Sequence, residues 1–221
     1  MTRHFQEELG QVKEKVLRLG SIVEVMVENA VTSLVDRDTR LAEDTIASDQ
    51  RADLLEVEID DVCIKLLALH QPAAGDLRFV TTAMKVSTDL ERMADQAVNI
   101  SQRAIELNEE PQLKPYIDIP IMSQLSQQML RDSLDAFVRK DVGLAREVIE
   151  ADNKVDALKD QVFRELLTFM MEDPRTIPRA IRLILVSRHL ERIADHATNI
   201  AEMVVFLVEG RNIRHATQQG T

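Results

Sequence analysis

The chain has 221 residues, 45% of them apolar, with a formal net charge of -11 and a pI near 5.0. Thirty-eight acidic against 27 basic residues, with six Phe, one Tyr and no Trp, leave neither the clustered cations nor the stacking surface that a nucleic-acid partner requires. Six Gly and six Pro are too few for a sheet protein with tight turns, and the lone Cys63 excludes an internal disulfide, so the composition predicts an all-α protein.

From the start, MTRHFQEELGQVKEK lacks the apolar run of a signal peptide, and no stretch approaches the roughly 20 apolar residues of a membrane span. A soluble, cytoplasmic protein is expected, without direct membrane insertion. Helical periodicity then breaks at VDRD (35–38), at HQPAAG (70–75), at NEEPQLKPYIDIP with its three prolines, at VRKD (138–141) and at EDPRTIP (172–178). These breaks predict six long helices in two tandem three-helix bundles, residues 1–110 and 121–221, joined by a Pro-rich linker over 111–120.

The halves repeat each other. VSTDLERMADQAVNI, Val86 to Ile100, returns as VSRHLERIADHATNI, Val186 to Ile200, and DRDTRLAEDTIASDQRAD (36–53) aligns with RKDVGLAREVIEADNKVD (139–156). A period this long marks duplication of a whole bundle. In the third helices Val86, Leu90, Met93, Ala97, Ile100, Ala104 and Leu107, and their counterparts Val186, Leu190, Ile193, Ala197, Ile200, Val204 and Leu207, alternate spacings of four and three, the seam of helices packed nearly parallel. The second helix shows a similar seam through Ala52, Leu55, Ile59, Val62, Leu66 and Leu69. Cys63 lies in this apolar stretch and reads as core.

The polar part of the repeat calls for another reason. Glu91 and Asp95, four residues apart with Asn99 four further on, share one helix face, as do Glu191, Asp195 and Asn199. Asp49 and Asp53 repeat the spacing on the second helix, and Asp152 and Asp156 on its counterpart. Each like-charged pair destabilises an isolated helix by about 0.2–0.5 kcal/mol. With hairpin turns centred near residues 73–74 and 174–175, Asp49 and Asp53 fall level with about 98 and 94, and Asp152 and Asp156 with about 197 and 193. Four carboxylates thus converge in each half, and such clusters repel unless a cation neutralises them. All-oxygen ligand sets suit magnesium, calcium or manganese, and carboxylate-rich sites accept iron or zinc. Asn99 and Asn199 either ligate or support from behind. The bland alternative is a solvated face on which Arg92 and Arg192 balance the acids. No Glu-x-x-His, Gly-rich phosphate loop or nucleophile elbow occurs.

With the twin Glu-Arg-x-Ala-Asp stretches, the QPAAGDLR turn (71–78), TIASDQRAD, EADNKVD and MMEDPRTIP in hand, the chain closely resembles the PhoU family of phosphate-uptake regulators. That resemblance implies paired three-helix bundles, surface metal clusters on Glu/Asp-x-x-x-Asp motifs and a homodimer. It also implies a non-enzymatic negative regulator of the phosphate-starvation response and of high-affinity phosphate uptake. Such a regulator acts between the ATPase subunit of the phosphate ABC transporter and a membrane histidine kinase. The family motif falls on Glu91, Asp95, Glu191 and Asp195, and Arg92 and Arg192 are the candidates for facing a partner. Ala94 and Ala194 stand where many members have Gly, a change expected to matter little on an exposed stripe. A metal-dependent phosphoester hydrolase and a plain helical scaffold are the alternative readings.

Overall fold

In a computed structural model describing residues 3–211, the chain folds into α1 (Arg3–Val35), α2 (Thr39–His70), α3 (Ala74–Asn108), α4 (Asp118–Arg139), α5 (Val142–Glu172), a 3-10 turn (Pro174–Thr176) and α6 (Ile177–Glu209). The first connection in each half is built the same way. Arg37 and Lys140 turn the chain with positive φ, 58° and 56°, and the next residue, Asp38 or Asp141, caps the following helix by accepting the amide of Leu41 or Leu144 at 3.0 Å. The second connections differ. Gln71 in the left-handed region and Pro72 make a short turn centred on residue 72, whereas Asp173 caps the 3-10 turn that leads into α6. Pro120 lies inside the first turn of α4, where an amide needs no helical acceptor.

The predicted third-helix seams are buried throughout, from Val86 to Leu107 and from Val186 to Leu207. The α2 seam departs from expectation: it runs through Ala52, Leu55, Ile59, Cys63 and Leu66, while Val62 is half-buried and Leu69 is 74% exposed. A straight helix turns every 3.6 residues, so a strict seven-residue register drifts off the buried face over its length. Burial pushes the Cys63 thiol up to about 12, as befits a core residue.

α3 and α6 bury a second stripe besides the seam, including Ser87, Ala94 and Ser101 on one and Ser187, Ala194 and Ala201 on the other. These small residues let the two helices pack closely, and the pairs Asp89–His196, Gln96–His189 and Arg78–Leu207 show that they run antiparallel. Ala94 and Ala194 are fully buried there, off the exposed stripe. α1 and α4 also pack antiparallel, with Arg131 paired to Glu24, and Phe79 of α3 stacks on Phe137 of α4 at 5.4 Å. The duplicated bundles therefore share one core: α1, α3, α4 and α6 form a central four-helix layer, with α2 and α5 flanking it as the third helix of each half.

The connection from α3 to α4 is held on this body. Arg182 of α6 reaches Glu106 at 2.7 Å and Glu110 at 2.9 Å, Arg179 donates to the carbonyl of Pro111 at 2.8 Å, and Arg37 donates to the carbonyls of Asn108 and Glu110.

Candidate metal sites on two acidic helix faces

The hairpins bring the acids of each half into one field. In the first half Thr88 donates to Glu56 at 3.3 Å, which places Asp53 level with residue 91 and Asp49 level with 95, about three residues from the expected register. The turn is centred on Pro72 rather than on residues 73–74, and antiparallel pairing doubles any shift of the centre. Burial and the charges of Asp53 and Asp95 raise Asp49 above the usual carboxylate range. Burial, then Asp95, Asp53 and Glu56, raise Glu91, and burial with Asp53 raises Asp95. Sequence reasoning missed Glu56 and Asp60, which continue the α2 column at the same helical spacing; burial and neighbouring acids raise both. The signal was present in the 49, 53, 56, 60 spacing.

In the second half burial, Asp195, Asp156 and Glu191 raise Asp152 to about 6, and burial with Glu191 and Asp156 raises Asp195. Here a cation is already built in. Lys159 Nζ donates to Asp156 at 2.9 Å and to Glu191 at 3.0 Å.

Asn99 donates to the carbonyl of Asp95 at 2.8 Å on its own helix, whereas Asn199 turns to the other half and donates to Asp89 at 3.3 Å. The guanidinium groups of Arg92 and Arg192 are exposed and make no hydrogen bond or ion pair among the described residues, so they do not balance the stripes by direct pairing; the Arg92 carbonyl accepts from the Gln96 side chain at 3.3 Å.

One feature supports the fit of a cation to the first face. Asp49 Oδ1 is buried without a hydrogen-bond partner, and so is Asp60 Oδ1; an orphaned carboxylate oxygen is costly and suits a metal ligand. As the side chains lie, no three His, Cys, Asp or Glu groups among the described residues converge closely enough to enclose an ion. The backbone supplies the shared face, and side-chain rotation about χ1 and χ2 is required to close a chelate.

The duplicated six-helix layout, with an acidic column on the hairpin of each half, defines a class of paired-bundle proteins. The chain belongs to the PhoU family: the PhoU domain model matches residues 16–104 and again 119–204. It is 47% identical over 209 residues to a phosphate-specific transport system accessory protein PhoU homolog of Aquifex aeolicus, covering 95% of each chain. A homolog of the same name in Pseudomonas aeruginosa is 41% identical, covering 97% of this chain and 89% of its own. The crystal structure of PhoU from Pseudomonas aeruginosa superposes with a TM-score of 0.90 at 42% identity, covering 94% of this chain and 100% of that one. That of the phosphate transport system regulatory protein PhoU from Streptococcus pneumoniae gives 0.88 at 31% identity, covering 94% and 98%.

Proposed function

We propose that this chain is a regulatory accessory protein of phosphate transport that restrains uptake and the phosphate-starvation response when phosphate is plentiful. The observation that carries this reading is the extent of the similarity, which runs through both halves and nearly the full length of relatives named for a phosphate-specific transport system. The regulator works from the cytoplasm as a homodimer, linking the ATPase subunit of a phosphate ABC transporter to a membrane histidine kinase. It reaches the inner membrane only through those protein partners. Among the described residues no helix is long and apolar enough to cross a membrane, which agrees with contacts made through proteins. The role is non-enzymatic, in keeping with relatives named as accessory and regulatory proteins.

The acidic faces take divalent or transition metal ions. Asp49, Asp53, Glu91 and Asp95 hold them on the first half, and Asp152, Asp156, Glu191 and Asp195 on the second. Asn99, bonded to its own helix beside Asp95, acts as a support, Asn199 is drawn to Asp89 instead, and the unpaired guanidinium groups of Arg92 and Arg192 are available to a protein partner. The raised carboxylates support this reading, because a bound cation offsets the repulsion that raises them.

A strain lacking the gene should express alkaline phosphatase in phosphate-rich medium, with repression restored by the intact gene. Normal repression in the deletion strain would overturn the regulatory role.

A further inference from the structure

We propose that the two duplicated faces have diverged: the α2–α3 face is the high-affinity divalent cation site, and Lys159 is a resident counter-ion that weakens the α5–α6 face. This rests on the cation reading above and deepens it.

The columns differ where the halves are aligned. On α2 the face carries Asp49, Asp53, Glu56 and Asp60, four acids over about 16 Å of helix; on α5 the equivalent positions are Asp152, Asp156, Lys159 and Phe163. The second column thus stops after two acids, then presents an ammonium and a half-exposed aromatic ring. The neighbouring helix follows the same trend. Thr88, whose hydroxyl donates to Glu56, is replaced by Arg188 at the equivalent position of α6.

Geometry turns this difference into chemistry. Lys159 bridges one acid of α5 and one of α6, the pair that a metal would have to span, and its side chain is 27% exposed. A divalent ion must either displace that ammonium or bind beside it, and charges a few ångströms apart in a partly buried site interact by kilocalories per mole. On the first face no Lys or Arg is hydrogen-bonded or ion-paired to Asp49, Asp53, Glu91 or Asp95 among the described residues. Among the described residues Glu56 is hydrogen-bonded to the hydroxyl of Thr88 and to no cation, and the orphaned oxygens of Asp49 and Asp60 both lie on this half. The second face keeps some demand for a cation, since Lys159 engages Asp156 and Glu191 and leaves Asp152 and Asp195 facing each other. Its affinity is lowered, not abolished.

The test is a calorimetric titration of Mn2+ into the full chain after chelator treatment, with melting temperature read in parallel and folding of each variant checked by circular dichroism. In the unaltered protein a tight class of sites should bind at least about tenfold more strongly than a weak class. The tight class and the metal-induced rise in melting temperature should vanish in the pair Asp53→Asn with Glu91→Gln and persist in Asp156→Asn with Glu191→Gln. Lys159→Glu should bring the weak class to within a few-fold of the tight one, and Glu56→Lys should weaken the tight class. Two equal classes, each removed by the variants of its own face and indifferent to Lys159→Glu, would overturn the divergence while leaving the cation reading standing. Absence of any Mn2+ binding to well-folded protein would overturn both.

Discussion

Asp152 shows what the acidic faces cost the metal-free fold. Its folded carboxyl is held up to about 6 by burial and by three neighbouring acids, whereas in the unfolded chain it titrates in the ordinary carboxylate range near about 4. Between those values the folded state binds more protons than the unfolded one, so stability falls as pH rises through about 4 to 6. In metal-free protein Asp152→Asn should flatten that part of the stability profile and raise the melting temperature at pH 7, as urea or thermal denaturation would show. An unchanged profile would mean that the repulsion is relieved in some other way. Asp89 and Gln96 face His196 and His189 across the antiparallel pair, at 2.8 and 2.9 Å, so these two diverged polar positions meet between the halves. Burial and three nearby arginines push His189 down to about 4, leaving it a neutral donor to the Gln96 amide oxygen.

At the scale of a helix, α1 sets two glycines in different surroundings. A Cβ on Gly10 would meet nothing within 4 Å, whereas one on Gly20 would collide with the buried Leu134 side chain of α4. Gly10→Ala should therefore stabilise the protein by roughly 0.5–1 kcal/mol through helix propensity alone. Gly20→Ala gains the same propensity but must displace Leu134, and overpacking of about 1–3 kcal/mol should make it destabilising on balance. Urea unfolding of both variants checks the opposite signs. The spacing of apolar letters made the helices and the third-helix seams legible in advance. The acidic stripes were legible too, and the 49, 53, 56, 60 spacing already held Glu56 and Asp60, but only the hairpin register showed that Lys159 crosses from one column to the other. That register depends on where a turn is centred, which local spacing does not define.

For the whole molecule, α1, α3, α4 and α6 bury one another across the boundary between the repeats, and Arg182 bridges α6 to Glu106 and Glu110. Calorimetry should accordingly show one cooperative transition for the full chain, with equal calorimetric and van't Hoff enthalpies. Two separable transitions would mean that each bundle carries its own stability. Removing either half would expose the second buried stripe of α3 or α6, which no three-helix bundle needs to cover by itself.

Periodicity, helix breaks and internal repetition determined by sequence alone that this protein is all-α, duplicated and striped with acids, because these properties depend on residues near one another along the chain. Tertiary structure decided the rest. The docking of α3 on α6, the buried place of Ala94 and Ala194, the turning of Asn199 toward Asp89 and the bridge made by Lys159 join residues from different helices. Their geometry is set by packing and register across the fold, which no stretch of the chain encodes locally.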